Sequence, residues 1–167
     1  YSNYRFSHYL NVGDARVSGI EASYDHVLTF LPRWASGFSV FANGSRLQLE
    51  GRDTADFRGF VPKVFNAGIS YDRGRVNVQL KRNYRGKQQL SPQNWPNSFE
   101  FRRESVTFDL NAQIKLHKRV SIFVTGRNLT NEPTVMEWSS PATPDYAKIQ
   151  RFIESGAQYA FGLKGTF

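Results

Sequence analysis

Side chains able to do chemistry are scattered along this sequence. His8, His26 and His117 fall on three separate segments, and no pair has the spacing that sets two imidazoles on one face for a metal. Cysteine is absent, which excludes disulfides and thiolate metal sites. No glycine-rich phosphate loop follows a strand, and the serines sit outside any nucleophile elbow. Glu50, Asp53 and Asp56 share one stretch that could hold a cation, although a solvated acidic loop is the commoner meaning of such a run. The expectation is a protein that is not an enzyme, with no catalytic residue, metal or cofactor.

What remains is chemistry of contact. The formal net charge is +8, and the basic residues bunch instead of forming one face: Lys81, Arg82, Arg85 and Lys87 on one side, Arg102 and Arg103 on the other, with Glu100 the lone acid between. Such bunching argues against nucleic acid as a partner. It fits a solvated loop rim, or contact with anions such as lipopolysaccharide phosphates or an anionic ligand, with Arg82, Arg85, Lys87, Arg102 and Arg103 as candidates. A second set is polar and periodic. Asp109, Asn111 and Gln113, with Asn77, Gln79 and Lys81 on the neighbouring strand, form one polar patch if the registers match, either lining a solute path or simply solvating a wall. Trp95 and Trp138 lie in expected loops, where exposed aromatics stack on ringed ligands or serve as an interfacial belt.

The elements that position these groups are strands. From Val106 to Leu116 apolar and polar residues alternate without a fault, a pattern that chance gives with a probability on the order of one in a thousand. A helix would scatter those residues around its circumference. Soluble strands have a mode near 5–6 residues, whereas a tilted membrane strand needs about 9–11. The last stretch behaves alike: Tyr159, Phe161, Leu163 and Phe167 fall on one face, while Gln158, Ala160, Gly162, Lys164 and Thr166 occupy the other. An apolar edge would aggregate in water, so hydrocarbon on one side and a polar lumen on the other is the explanation favoured here. A soluble β-sandwich that happens to end on Phe, acting as a binding module for carbohydrate or nucleic acid, is the alternative.

Composition agrees. Mean hydropathy is −0.52 and no run reaches the ~18 apolar residues of a membrane helix, which leaves a barrel open. Aromatics make up 15% of 167 residues, as a belted barrel requires. One domain is expected, and because the sequence starts at Tyr1 without a leader it is expected to be a processed product or a fragment.

In order, strands are expected at Asn3–Asn11, up to about Val27, at Gly37–Leu49 with an open register, Val61–Tyr71, from Val76 to about Lys81, Val106–Leu116, Val120–Leu129 and Arg151–Phe167. After a first short connection at Asn11–Ala15, short turns near Pro32, at Asp72–Gly74 and at His117–Arg119 alternate with long loops at Glu50–Phe60, Arg85–Arg103 and Thr130–Lys148. An up-and-down barrel produces that alternation and a Greek-key sandwich does not. The fold expected is therefore all-β, an antiparallel up-and-down transmembrane barrel segment of about eight strands belonging to a larger barrel.

Four stretches together carry a family resemblance: Asn11-Val12-Gly13-Asp14-Ala15 followed by Gly19-Ile20-Glu21; Phe65-Asn66-Ala67-Gly68-Ile69-Ser70-Tyr71; Gly126-Arg127-Asn128-Leu129-Thr130-Asn131-Glu132-Pro133; and the tail Tyr159 to Phe167. In this order they resemble the carboxyl-terminal part of a TonB-dependent outer-membrane receptor. The resemblance implies residues 1–167 as the last portion of a roughly 22-stranded barrel, with the plug and amino-terminal strands elsewhere. It further implies a Gram-negative-type cell outer membrane, uptake of a scarce large solute (iron chelate, cobalamin or glycan) with TonB-relayed energy, and short turns on the periplasmic side. Implied partners are outer-membrane lipid and lipopolysaccharide, the remaining strands and plug, TonB through the amino-terminal part, and the barrel-assembly machinery, which would read Tyr159, Phe161, Leu163 and Phe167. The solute itself is not written in these residues.

Overall fold

The computed structural model describes residues 15–51, 59–92, 99–140 and 143–165. The expected strand at Asn3–Asn11 and its turn lie outside the described residues, as do His8, Asp53, Asp56, Trp95 and Phe167. Eleven strands are present among those described: β1 (Ala15–Val27), β2 (Phe38–Gly51), β3 (Lys63–Arg73), β4 (Val76–Arg85), β5 (Gln88–Pro92), β6 (Phe99–Arg102), β7 (Ser105–His117), β8 (Val120–Arg127), β9 (Thr134–Ser139), β10 (Ile149–Ile153) and β11 (Gln158–Gly165). The only helical elements among them are two short 3-10 turns, Arg33–Ala35 and Asp145–Ala147.

Seven strands form one antiparallel sheet in the order β1-β2-β3-β4-β7-β8-β11. Among the described residues it does not close on itself, and β1 and β11 are its two edges. The other four form a second sheet, β10-β9-β6-β5. Taken from β5 to β10, the small sheet follows the last four strands of the large one: β5 continues β4, β6 leads into β7, β9 follows β8 and β10 leads into β11. Only residues 86 and 87 separate β4 from β5, and only 103 and 104 separate β6 from β7. This corrects the expected long loops Arg85–Arg103 and Thr130–Lys148, which are strand hairpins prolonging the wall. It also corrects the expected final strand, which splits into β10 and β11, with Arg151 in the small sheet.

Turn chemistry fixes the short end. Arg73 pairs with Val76, so Gly74 and Arg75 are the two loop residues, and Gly74 takes the first central position with φ +61°. That centre is one residue later than the expected Asp72–Gly74. Lys118 and Arg119 link β7 to β8.

Two-residue periodicity then sorts the wall. On β7, the residues from Val106 to Leu116 with even numbers share a face with Val78 and Leu80 of β4, Ile69 and Phe65 of β3, Ile20 and Tyr24 of β1, and Tyr159, Phe161 and Leu163 of β11. None of these side chains is buried: Phe161 is 86% exposed, Ile20 77% and Leu163 72%, while Val78, Val106, Phe108 and Leu110 are half-buried. The buried hydrophobic residues among those described are Ala35 and Val135 alone, and neither lies in the large sheet. A sandwich would bury this stripe against an opposing sheet. Here the apolar face crosses all seven strands uncovered.

The opposite face is mostly polar; its apolar members include Val17, Leu47, Leu49, Val64, Phe123 over Gly162, and Phe41, which lies across Gly68. A Cβ on Gly68 would stand 2.5 Å from the Leu80 carbonyl oxygen and 2.6 Å from Phe41 Cζ. Glycine is what lets the ring lie flat there.

A lysine at Leu110 should cost about 2–4 kcal/mol of stability in a bilayer, whereas a lysine at Asn111, one position along on the other face, should cost far less. Urea unfolding from liposomes measures both. Equal losses would contradict the assignment of faces.

Candidate functional site

The β4–β7 register brings the polar candidates together as expected. Asn77 faces Gln113, Gln79 faces Asn111, and Lys81 faces Asp109. Next in the row, Asn83 faces Thr107 on β7 and Asn66 on β3, which in turn faces Asn43 on β2. The wall thus carries a contiguous polar surface rather than isolated groups.

Its members divide by what they touch. Asp109 is engaged twice: its Oδ2 accepts from Asn83 Nδ2 at 2.8 Å, and its Oδ1 accepts from the Asn128 backbone N–H at 3.0 Å. Asn83 Nδ2 also reaches Thr107 Oγ1 at 3.2 Å. Asn77 donates to Asp72 Oδ2 at 2.8 Å, and Asn66 donates to Asn43 Oδ1 at 2.9 Å. Gln79, Lys81, Asn111 and Gln113 make no side-chain hydrogen bond or ion pair with the described residues. Asp109 and Asn77 are therefore structural members. The other four present free donors and acceptors to whatever fills the space beyond the wall. Asn83 escaped the sequence reading, although it lies two residues beyond Lys81 on the same face.

Asp109 also sets the junction between the two sheets. Asn128 ends β8 with φ +52°, a left-handed conformation that asparagine tolerates better than most residues. Its side chain closes a ring with Glu132, donating Nδ2 to the Glu132 carbonyl at 3.0 Å and accepting the Glu132 N–H at 2.8 Å. The Leu129 N–H donates to the Phe108 carbonyl oxygen at 2.8 Å, pinning the turn to β7. The stretch Gly126 to Pro133 is thus a bonded corner where the chain leaves the large sheet for the small one.

The five basic candidates do not act as one group. Arg82 shares the apolar face with Leu80 and stands between Ala67 and Phe108 in register. Arg85 donates to Gln88 Oε1; Gln88 is buried and faces Arg102, whose Nε is buried without a partner. Lys87 lies 4.3 Å from the Phe101 ring centroid and 4.0 Å from Glu137. Arg103 donates both Nε (2.8 Å) and Nη2 to the same carboxylate. Lys87 and Arg103 are thus neutralised in part, while Arg85 and Arg102 leave positive charge around Gln88. Trp138 is half-buried on β9 opposite Glu100. At the far end of the small sheet Lys148 donates to Asp145 and holds its carboxyl below the usual range, an exposed pair of little weight for stability.

Removing the Asp109 carboxylate as alanine leaves the Asn128 N–H and the Asn83 amide without their acceptor. It should cost about 1–3 kcal/mol, and hydrogen exchange should accelerate at Asn128–Glu132. Asn111→Ala, which removes no bond, is the control; the same acceleration there would contradict the hub.

A family model described as TonB dependent receptor-like, beta-barrel matches residues 2–129. No curated protein and no solved structure matches the chain.

Proposed function

The chain belongs to the TonB-dependent receptor family through its β-barrel domain, a family of outer-membrane transporters, and from that premise we propose that it forms the carboxyl-terminal wall of an importer for a scarce large solute. The remaining strands and the plug would complete the barrel, and TonB would be engaged through the amino-terminal part. Candidate solutes are an iron chelate, cobalamin or a glycan.

One observation carries the reading: a sheet whose apolar face is uncovered along its whole width and whose other face offers Gln79, Lys81, Asn111 and Gln113 unengaged. In a membrane such a wall has hydrocarbon on one side and a water-filled, solute-conducting space on the other. The small sheet prolongs the wall on the side of the long connections, the side where a solute first arrives. Arg85 and Arg102 there, with Lys81 further in, favour a solute carrying carboxylates, phosphates or another anionic group. Trp138 and Trp95 would contact a ringed solute; Lys87 and Arg103 would shape the rim through Glu137. Arg82, on the apolar side, would meet lipopolysaccharide. Tyr159, Phe161, Leu163 and Phe167 would serve the barrel-assembly machinery as its recognition stripe.

The test uses the intact receptor with Lys81→Ala and Arg102→Ala, singly and together, in uptake assays with labelled iron chelates, cobalamin and oligosaccharides. Loss of one charge-assisted hydrogen bond is worth about 1.5–3 kcal/mol. One solute class should therefore show a fall in apparent affinity of roughly tenfold or more per residue at unchanged surface expression. Unchanged uptake of every solute would overturn the assignment of these residues.

A further inference from the structure

The outer face is not uniformly filled. Near the long-connection end of β1–β4 it holds a groove of about 680 Å³. The groove exists because small residues meet across strands: Ala22 pairs with Gly44, and Ala42 pairs with Ala67. A Cβ on Gly44 would lie 3.1 Å from Phe65 Cδ2, so the Phe65 ring leans over that glycine and forms one bank, with Tyr84 beside it and Tyr24 opposite.

Cations close one end of it. Arg46 and Lys63 are direct register partners, both exposed, and neither has an acidic partner among the described residues. Like charges directly opposed across two strands are destabilising unless an anion sits between them. Their position is also a boundary. Beyond them, the outward residues of β1 and β2 turn polar, Ser18 against Gln48 and Arg16 against Glu50. Below them Ile20, Ala22, Tyr24, Ala42, Gly44 and Phe65 make the face apolar, with Arg82 of β4 next to Ala67 at its flank. A site with an apolar trough beneath and two free cations at its polar margin matches one kind of molecule, an amphiphile with an acyl chain and a phosphorylated head.

Resting on the reading of this sheet as a membrane wall, we propose that this groove binds a phosphorylated lipid of the leaflet on the long-connection side, its chain between Tyr24 and Phe65 and its phosphate between Arg46 and Lys63. The lipid would neutralise the opposed cations and fill the space above Ala22, Ala42 and Gly44.

The test is native mass spectrometry of the intact receptor in detergent, titrated with dipalmitoyl phosphatidic acid, dipalmitoyl phosphatidylcholine and glycerol 3-phosphate. The parent protein should retain phosphatidic acid in preference to phosphatidylcholine. Arg46→Gln or Lys63→Gln should each lower that preference about fivefold, and the pair about thirtyfold. Ala42→Phe should reduce retention of both lipids by filling the trough. An unchanged preference in the double variant would overturn the proposal, as would competition by glycerol 3-phosphate at concentrations equal to the lipid, which would mark a phosphate site without a chain. A parent receptor that stays monomeric in water without detergent would instead overturn the membrane wall itself, and the groove with it.

Discussion

The apolar face has no protein to cover it, and every other feature of the molecule answers to that constraint. Folding in water rewards the burial of apolar surface, yet Ile20, Phe161 and Leu163 point away from the sheet, and Ala35 and Val135 are the buried hydrophobics among the described residues. The stripe spans seven strands in continuous register, so a local patch for a small partner does not explain it. Hydrocarbon does. In hydrocarbon every backbone group must also be bonded, so β1 and β11, the edges of the sheet among the described residues, require strands beside them. An exposed apolar face and unpaired edges thus lead to the same conclusion, a section of a larger closed wall.

The polar face answers to the same constraint from the other side. There the side chains hold one another across strands, from Asn43–Asn66 to Asn83–Asp109. Asp109 does most to join the parts, because the carboxylate that binds Asn83 also fixes the first residue of the Asn128–Glu132 corner. Asp109 thus adds a side-chain link to the backbone connections between the wall and the sheet that extends it. Lys81, its register partner, makes no ion pair with it.

What could be read from the sequence follows how strictly the environment constrains each side chain. Val106–Leu116 was legible because lipid on one face and polar surroundings on the other permit no faults in alternation. The small sheet was not. Gln88–Pro92 and Phe99–Arg102 are too short to show a period, and prolines at 92 and 96 suggest loop. The break within Arg151–Phe167 was hidden because β10 and β11 are each apolar enough to be taken as one strand. Among the sites, the shared polar face of Asn77, Gln79 and Lys81 and of Asp109, Asn111 and Gln113 followed from alternation, while the pairing itself is given by the register. The division between engaged and free members did not, because Asp109 bonds Asn83, one pair along β4 from its register partner Lys81, and the Asn128 N–H just beyond β8. Arg82 was grouped with Arg85 by nearness in sequence, although an interval of three places them on opposite faces.

The central claim, that lipid covers the apolar face, is tested most directly by single-cysteine scanning from Ser105 to His117, made simple by a chain without cysteine. Each position of the intact receptor would carry an environment-sensitive fluorophore in bilayers containing a quencher on the lipid chains. A period of two is predicted, with Val106, Phe108, Leu110, Ala112 and Ile114 quenched and Thr107, Asp109, Asn111 and Gln113 shielded. Even-numbered positions shielded from the lipid quencher, or quenching without a period, would contradict it.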